Sequence, residues 1–281
     1  MKEYTGQTFT GERALFFGKG LALSGCVFED GESPLKHSED IALDGCGFRW
    51  KYPLWYSRDI SVRGCTFTDT ARAGVWYTDN ITITDTDYSA PKGFRRCRGL
   101  TLRNVRIPNA LETLWQCSGV KIENVTAAGD YFGMNCSDVT IDGFELDGNY
   151  CFDGAENVTI RNSKLMSKDS FWNSRNITAV GCFISGEYLA WNSENVTLID
   201  CTIESLQGLC YIKNLVIKNC RFVNTTLALE YSTVDAQITG GIDSVKNPSG
   251  GLVRAGSIGE LIMEPDRVDV NATVFEYDGG K

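Results

Sequence analysis

Apolar and polar residues alternate in short bursts that return at a nearly fixed interval. Each burst reads apolar, any, apolar, any, turn residue, small residue or Cys, any, apolar. It appears as Leu21-Ala22-Leu23-Ser24-Gly25-Cys26-Val27-Phe28 and again as Ile41-Ala42-Leu43-Asp44-Gly45-Cys46-Gly47-Phe48. Further copies start at Ile60, Ile81, Leu100, Val120, Val139, Val158, Ile177, Val196 and Leu215, with a weaker one at Val234; successive starts lie 19, 20 or 21 residues apart. A period of two within each burst predicts a strand rather than a helix. Gly, Asp or Asn follows at Gly25, Gly45, Gly64, Asp85, Asn104, Asn124, Asn162, Gly181, Asp200 and Asn219. These residue types tolerate left-handed backbone, so the chain turns there and a second short strand buries Cys26 and Phe28 or their equivalents.

A coil this short cannot bury its apolar face alone. Stacking at about 4.8 Å per coil gives every strand a parallel neighbour and joins the faces into one core. The expected fold is all-β: a single-stranded right-handed parallel β-helix, a solenoid of about twelve coils of 19–21 residues. The expected organisation is a single domain, 1–281, with coils over about 10–242 and a C-terminal cap over about 243–281. A leucine-rich repeat has a similar period, but its Leu-x-x-Leu-x-Leu-x-x-Asn frame is absent.

The segment before each strand start varies more than folding requires. Six residues before the start lies an apolar column, Leu54, Val75, Phe94, Leu114, Phe152, Phe171, Ala190 and Leu209. Five before it lie Trp55, Trp76, Arg95, Trp115, Met134, Asp153, Trp172 and Trp191. If the first column is buried, the second faces out, and Arg95 and Asp153 favour that orientation because a lone buried charge is costly. Tyr56, Tyr77, Arg96, Gln116, Asn135, Asn173, Asn192 and Tyr211 follow one position on. Aromatic faces beside amides and carboxylates suit sugar rings. Candidate ligand-binding residues are therefore Trp55, Trp76, Trp115, Trp172 and Trp191 for stacking, Arg95 and Arg96 for anionic groups, and Asn135, Asn173 and Asn192 for hydroxyls. Asp153, Asp169 and Glu187 are candidate catalytic carboxylates, because paired acids can act as acid and base on a glycosidic bond. Asp153 stands out because it replaces an aromatic in its column. The competing readings are a row of tryptophans turned into the core, or an aromatic face covered by another subunit.

Eleven cysteines occur without any C-x-x-C pair, which argues against a structural zinc site. Cys26, Cys46, Cys65, Cys182, Cys201 and Cys220 fall in one inward column of the repeat, and Cys97, Cys117 and Cys136 in another. They read as reduced core fillers. Asn-x-Thr occurs at Asn80, Asn124, Asn157, Asn176, Asn195, Asn224 and Asn271. Most copies are the repeat's turn followed by its strand, so they read as structure rather than as glycosylation acceptors. The formal charge of −9 argues against a nucleic-acid partner. No apolar run resembles a signal peptide or a membrane span, so the expected location is the cytoplasm. His37 is the sole histidine and reads as a surface turn residue; no metal and no cofactor are expected.

The stretches Glu29-Asp30-Gly31-Glu32-Ser33-Pro34-Leu35-Lys36, Trp50-Lys51-Tyr52-Pro53-Leu54-Trp55-Tyr56-Ser57, Ala71-Arg72-Ala73-Gly74-Val75-Trp76-Tyr77, Ser185-Gly186-Glu187-Tyr188-Leu189-Ala190-Trp191-Asn192 and Asn224-Thr225-Thr226-Leu227-Ala228-Leu229-Glu230-Tyr231 carry a family likeness. The whole chain closely resembles the bacterial domain-of-unknown-function family 3737. That resemblance implies a pectin-lyase-like right-handed β-helix and no particular activity or site residue. Better-known members of this fold are polysaccharide lyases, hydrolases and epimerases, but fold alone does not carry function across. The leading expectation is a cytoplasmic protein that binds, and processes, an acidic or phosphorylated carbohydrate. The alternative is a non-catalytic scaffold or subunit-interaction protein, which predicts a homo-oligomer.

Overall fold

A computed structural model describes residues 1–278. The last three residues of the segment expected as a cap lie outside them. The chain divides into two units, Met1–Glu145 and Leu146–Lys281, taken here in turn. Both are parallel β-solenoids, and no α-helix occurs among the described residues.

In the first unit the repeat sets the register. Strands Lys19–Ser24, Glu39–Asp44, Arg58–Arg63, Asp79–Tyr88, Arg98–Ile107 and Ser118–Ala128 pair in parallel, so that Leu21, Ile41, Ile60, Ile81, Leu100 and Val120 stand in line. Those six starts share one inward column because a slip of one residue would turn every apolar side chain to water. The second short strand stacks its aromatics: Phe28, Phe48 and Phe67 have ring centroids 4.8 and 4.5 Å apart and are nearly parallel. A third, narrow sheet of Leu54–Trp55, Val75–Trp76 and Phe94–Arg95 closes three of the coils, and a single bridge carries it from Arg95 to Trp115.

The second unit repeats the arrangement. Glu156–Arg161, Arg175–Val180, Glu194–Ile199 and Lys213–Phe222 align Val158, Ile177, Val196 and Leu215, and Val234 follows. All eleven cysteines are buried as free thiols within the two cores.

Parallel pairing extends beyond the span of the recognisable repeat. Lys2–Thr5 already pairs with Lys19–Ser24. Past residue 242, Gly250–Ala255 pairs with Thr233–Ile238, Ser257–Ile262 with Gly241–Lys246, and Thr273–Tyr277 with Gly250–Ala255. The turns therefore number about fifteen, the additional ones lying at the ends. They escape the sequence pattern because their inward positions are less regularly apolar. The register shift between Ile217 and Cys220 marks where regularity is lost.

Three asparagines of Asn-x-Thr, Asn157, Asn176 and Asn195, form an amide ladder with Asn214. Asn176 donates to Asn157, Asn195 to Asn176 and Asn214 to Asn195 at 2.8, 2.9 and 2.9 Å. All four have φ between 56° and 60°. Asn195→Ala removes two of these bonds and places a less tolerant residue in left-handed backbone. It is expected to cost about 1–2 kcal/mol in urea unfolding. A loss below about 0.5 kcal/mol would mean that water replaces the ladder.

Candidate functional site

The site sits at the corner where each coil turns before its long strand. Residues here adopt left-handed backbone although they are not glycine: Glu112, Leu114 and Gln116 have φ of 49°, 61° and 54°, and Asp169, Phe171 and Asn173 have 57°, 60° and 51°. Such a conformation costs roughly 1–2 kcal/mol in an L-residue. It persists because neighbouring coils turn in the same way and pair backbone to backbone, as in Gln116 N–H to Met134 O and Asn173 N–H to Asn192's predecessor Trp191 O. The corner breaks the simple alternation of a strand. Six residues before the start the side chain is buried, five before it is half-buried, four before it is exposed, and three before it is buried again, as in Leu54, Trp55, Tyr56 and Ser57.

The tryptophan column therefore faces outward, but its rings are used internally. In the first unit Trp55 and Trp76 stack at 4.9 Å with planes 5° apart. The Arg95 guanidinium lies 4.7 Å from Trp76 and 4.3 Å from Trp115, filling the place of a missing ring. Each indole N–H donates to a carbonyl of the next coil: Trp55 to Ala73, Trp76 to Lys92 and Trp115 to Tyr131, at 2.6, 2.8 and 2.7 Å. A ligand meets ring edges here rather than faces. Arg95 is also held by Glu112 at 2.8 Å, and Lys92 shares that carboxylate at 3.2 Å. Arg96 is exposed and donates to Gln116 at 2.8 Å, while Asn135 is exposed in the last coil of this unit.

In the second unit Trp172 and Trp191 stack at 5.9 Å, and Trp191 meets Tyr211 at 4.8 Å. Trp172 differs from the other tryptophans. On its other side the column holds Asp153, whose Oδ1 accepts the Trp172 backbone N–H at 3.2 Å. A short carboxylate stands where a ring would cover the indole. Burial pushes the Asp153 carboxyl up to about 7, against the pull of that N–H and with help from the charge of Asp169.

Asp169 is the least expected member. It is only 6% exposed, and its Oδ1 is buried with no hydrogen-bond partner. Burial raises its carboxyl above the usual range, the neighbouring Lys168 opposes this, and Glu187 adds to it. Glu187 is half-buried and paired with Lys168 at 3.2 Å. Asn173 and Asn192 are exposed and joined by a 2.6 Å bond.

The structure thus gathers Asp153, Asp169, Glu187, Trp172 and Asn173 in one unit, with Trp191 and Asn192 one coil on. Trp55, Trp76, Arg95, Arg96, Trp115 and Asn135 belong to the other unit. Sequence reading overlooked the aromatic column at Phe17 and His37. Extending the four-residue offset back from Leu21 and Ile41 would have found it. Among the described residues no group of three His, Cys, Asp or Glu side chains is placed to hold a metal ion.

A family described as "Protein of unknown function (DUF3737)" matches residues 2–276. Among curated proteins, none matches the chain. Similar solved structures include the surface adhesin PfbA of Streptococcus pneumoniae, at 11% identity over 84% of this chain and 71% of that one, TM-score 0.36. The Azotobacter vinelandii mannuronan C-5 epimerase AlgE6 A-module is 11% identical over 94% and 89% of the two chains, TM-score 0.37. A hyper-glycosylated TibA fragment is 11% identical over 97% and 99%, TM-score 0.41. Likeness at this level assigns no role to any residue of this chain.

Proposed function

The chain belongs to that family of unknown function, DUF3737, and on that premise we propose that it binds a carbohydrate at the Asp153 corner and acts on it by acid–base chemistry. The observation that carries this reading is the replacement of a ring by Asp153, within electrostatic reach of a buried carboxylate, Asp169, whose Oδ1 has no partner. Retaining two such acids costs stability, and sites that pay that cost are enriched in function. The uncovered side of Trp172 offers an apolar face to the C–H side of a sugar. Asn173 and Asn192 offer amides to its hydroxyls.

The roles follow from the two environments. Asp153 keeps its proton to about pH 7 and serves as general acid. Asp169, raised above the usual carboxylate range by burial with the charge of Lys168 opposing, serves as general base. In hydrolysis, Asp153 gives its proton to the glycosidic oxygen as the bond from that oxygen to the anomeric carbon breaks. Asp169 takes a proton from the water whose oxygen bonds to the same carbon. Glu187 orients Lys168 through their ion pair. Two carboxyl groups in unlike environments are what such a reaction requires.

The test is intrinsic tryptophan fluorescence titrated with neutral oligosaccharides, uronates and sugar phosphates, followed by a turnover assay with any that bind. Asp153→Asn is expected to keep binding while turnover falls about 10²-fold or more. Undiminished turnover in that variant removes Asp153 as the acid. A parent chain unresponsive to every class removes the site.

A further inference from the structure

We consider a second ligand surface in the unit Met1–Glu145, on residues that the Asp153 site does not use. Four residues before the strand starts stand Phe17, His37, Tyr56 and Tyr77. Their rings stack in sequence at 5.2, 5.2 and 4.7 Å, with planes within 19° of parallel. The Arg96 guanidinium ends the ladder 5.6 Å from the Tyr77 ring. Phe17 is 60% exposed and Tyr56 45%, and a run of open rings on one face marks an interaction surface.

Two residues further along each coil runs a ladder of alternating charge. Glu39 binds Lys19 at 3.2 Å and Arg58 at 2.7 Å, and Asp79 binds Arg98 at 2.8 Å. Between the two ladders lies a groove of about 320 Å³ whose floor includes the buried hydroxyls of Ser38 and Ser57.

The chemistry of the walls selects the occupant. Stacking uses up the ring faces, leaving ring edges, two phenol hydroxyls and an imidazole, which suits a hydroxyl-rich ligand better than an apolar one. Glu39 is shared by two cations. Among the described residues no carboxylate pairs with Lys36 or Arg96, which flank the ladder. The groove's own lining balances Lys19 and Arg58 against Glu39 and Asp79, and the flanking Lys36 and Arg96 add positive charge in a chain whose net charge is −9. The walls also place one ring and one charged group per coil, every 4.8 Å or so, so an extended ligand meets a new pair of groups at each coil. We propose that this groove binds an acidic oligosaccharide, a chain of uronic-acid sugars, with carboxylates toward Arg58 and Arg96 and hydroxyls toward Tyr56, Tyr77 and His37.

Calorimetric titration of the full chain with a uronic-acid oligosaccharide tests this, with its methyl ester and a neutral glucan of equal length as comparisons. Saturable binding of the acid form is expected, about tenfold weaker for the ester, and falling as salt is raised. Arg58→Glu, and separately Arg96→Ala at the exposed end of the ladder, should each weaken binding about tenfold while the melting temperature confirms folding. Trp172→Ala, which takes the stacking ring from the Asp153 corner, should leave this binding unchanged, so failure here and failure at the other corner are read separately. Equal affinity for acid and ester overturns the proposal. So does unaltered binding by the folded Arg96→Ala variant, and so does an acid form that the parent chain does not bind.

Discussion

Asp153→Asn should make the protein more stable above neutral pH, the reverse of what loss of an ordinary surface carboxylate would do. The Asp153 carboxyl holds its proton up to about 7 when folded, against 3.8 when unfolded. Between those values the folded chain binds more protons than the unfolded one, so stability is fully present below about pH 4 and is lost as pH rises through about 7. Fully expressed, the difference would be about 4 kcal/mol; partial access of water reduces it to about 1–2 kcal/mol. Asp169, whose carboxyl is raised by burial as well, contributes in the same direction. Asn keeps the oxygen that accepts the Trp172 N–H but carries no charge to desolvate. The variant and parent should therefore melt alike near pH 4 and diverge at pH 8, the variant melting higher. Equal melting at both pH values would mean that Asp153 is well solvated, and the general-acid assignment would lose its physical basis.

Arg95→Ala should be strongly destabilising for a position that is half-buried on an outer corner. Its guanidinium fills the gap between the Trp76 and Trp115 rings, and its ion pair with Glu112 is largely sheltered, the two side chains being 22% and 27% exposed. A desolvated cation–π contact contributes about 2 kcal/mol, and here there are two faces. Removing the group also leaves Glu112 with Lys92 alone. The expected loss is about 2–4 kcal/mol in urea unfolding, with Arg95→Lys intermediate, because an ammonium cannot lie flat between two rings. A loss under about 0.5 kcal/mol would show that the indoles close on each other without the clasp.

The order of burial at the corner explains why function was harder to read than fold. Inward columns obey a rule that a sequence displays directly, since an apolar residue must recur at the same place in every coil. Leu21 through Leu215, the stacked phenylalanines and the cysteine columns were legible for that reason. The turn glycines and asparagines were legible too, because left-handed backbone selects them. At the corner, Tyr56, Leu114 and Phe171 adopt the same backbone with side chains that do not favour it. Coil-to-coil pairing imposes that conformation, and local propensity gives no sign of it. That the column of Trp55 and Trp76 faces outward could be argued from the charges interrupting it. That its faces are spent on one another could not, because stacking depends on the few ångströms between coils.

By itself the sequence determined a parallel solenoid of about twenty residues per coil, its register, its buried thiols and the outward corner. Those follow from periodic burial, which a one-dimensional pattern records. Tertiary structure alone decided that Arg95 is a clasp rather than a free cation, that Asp169 is buried with an oxygen unpaired, and that Phe17 and His37 begin an aromatic wall. Each of these depends on what the adjacent coil places within a few ångströms of a side chain, and no spacing along one coil encodes that.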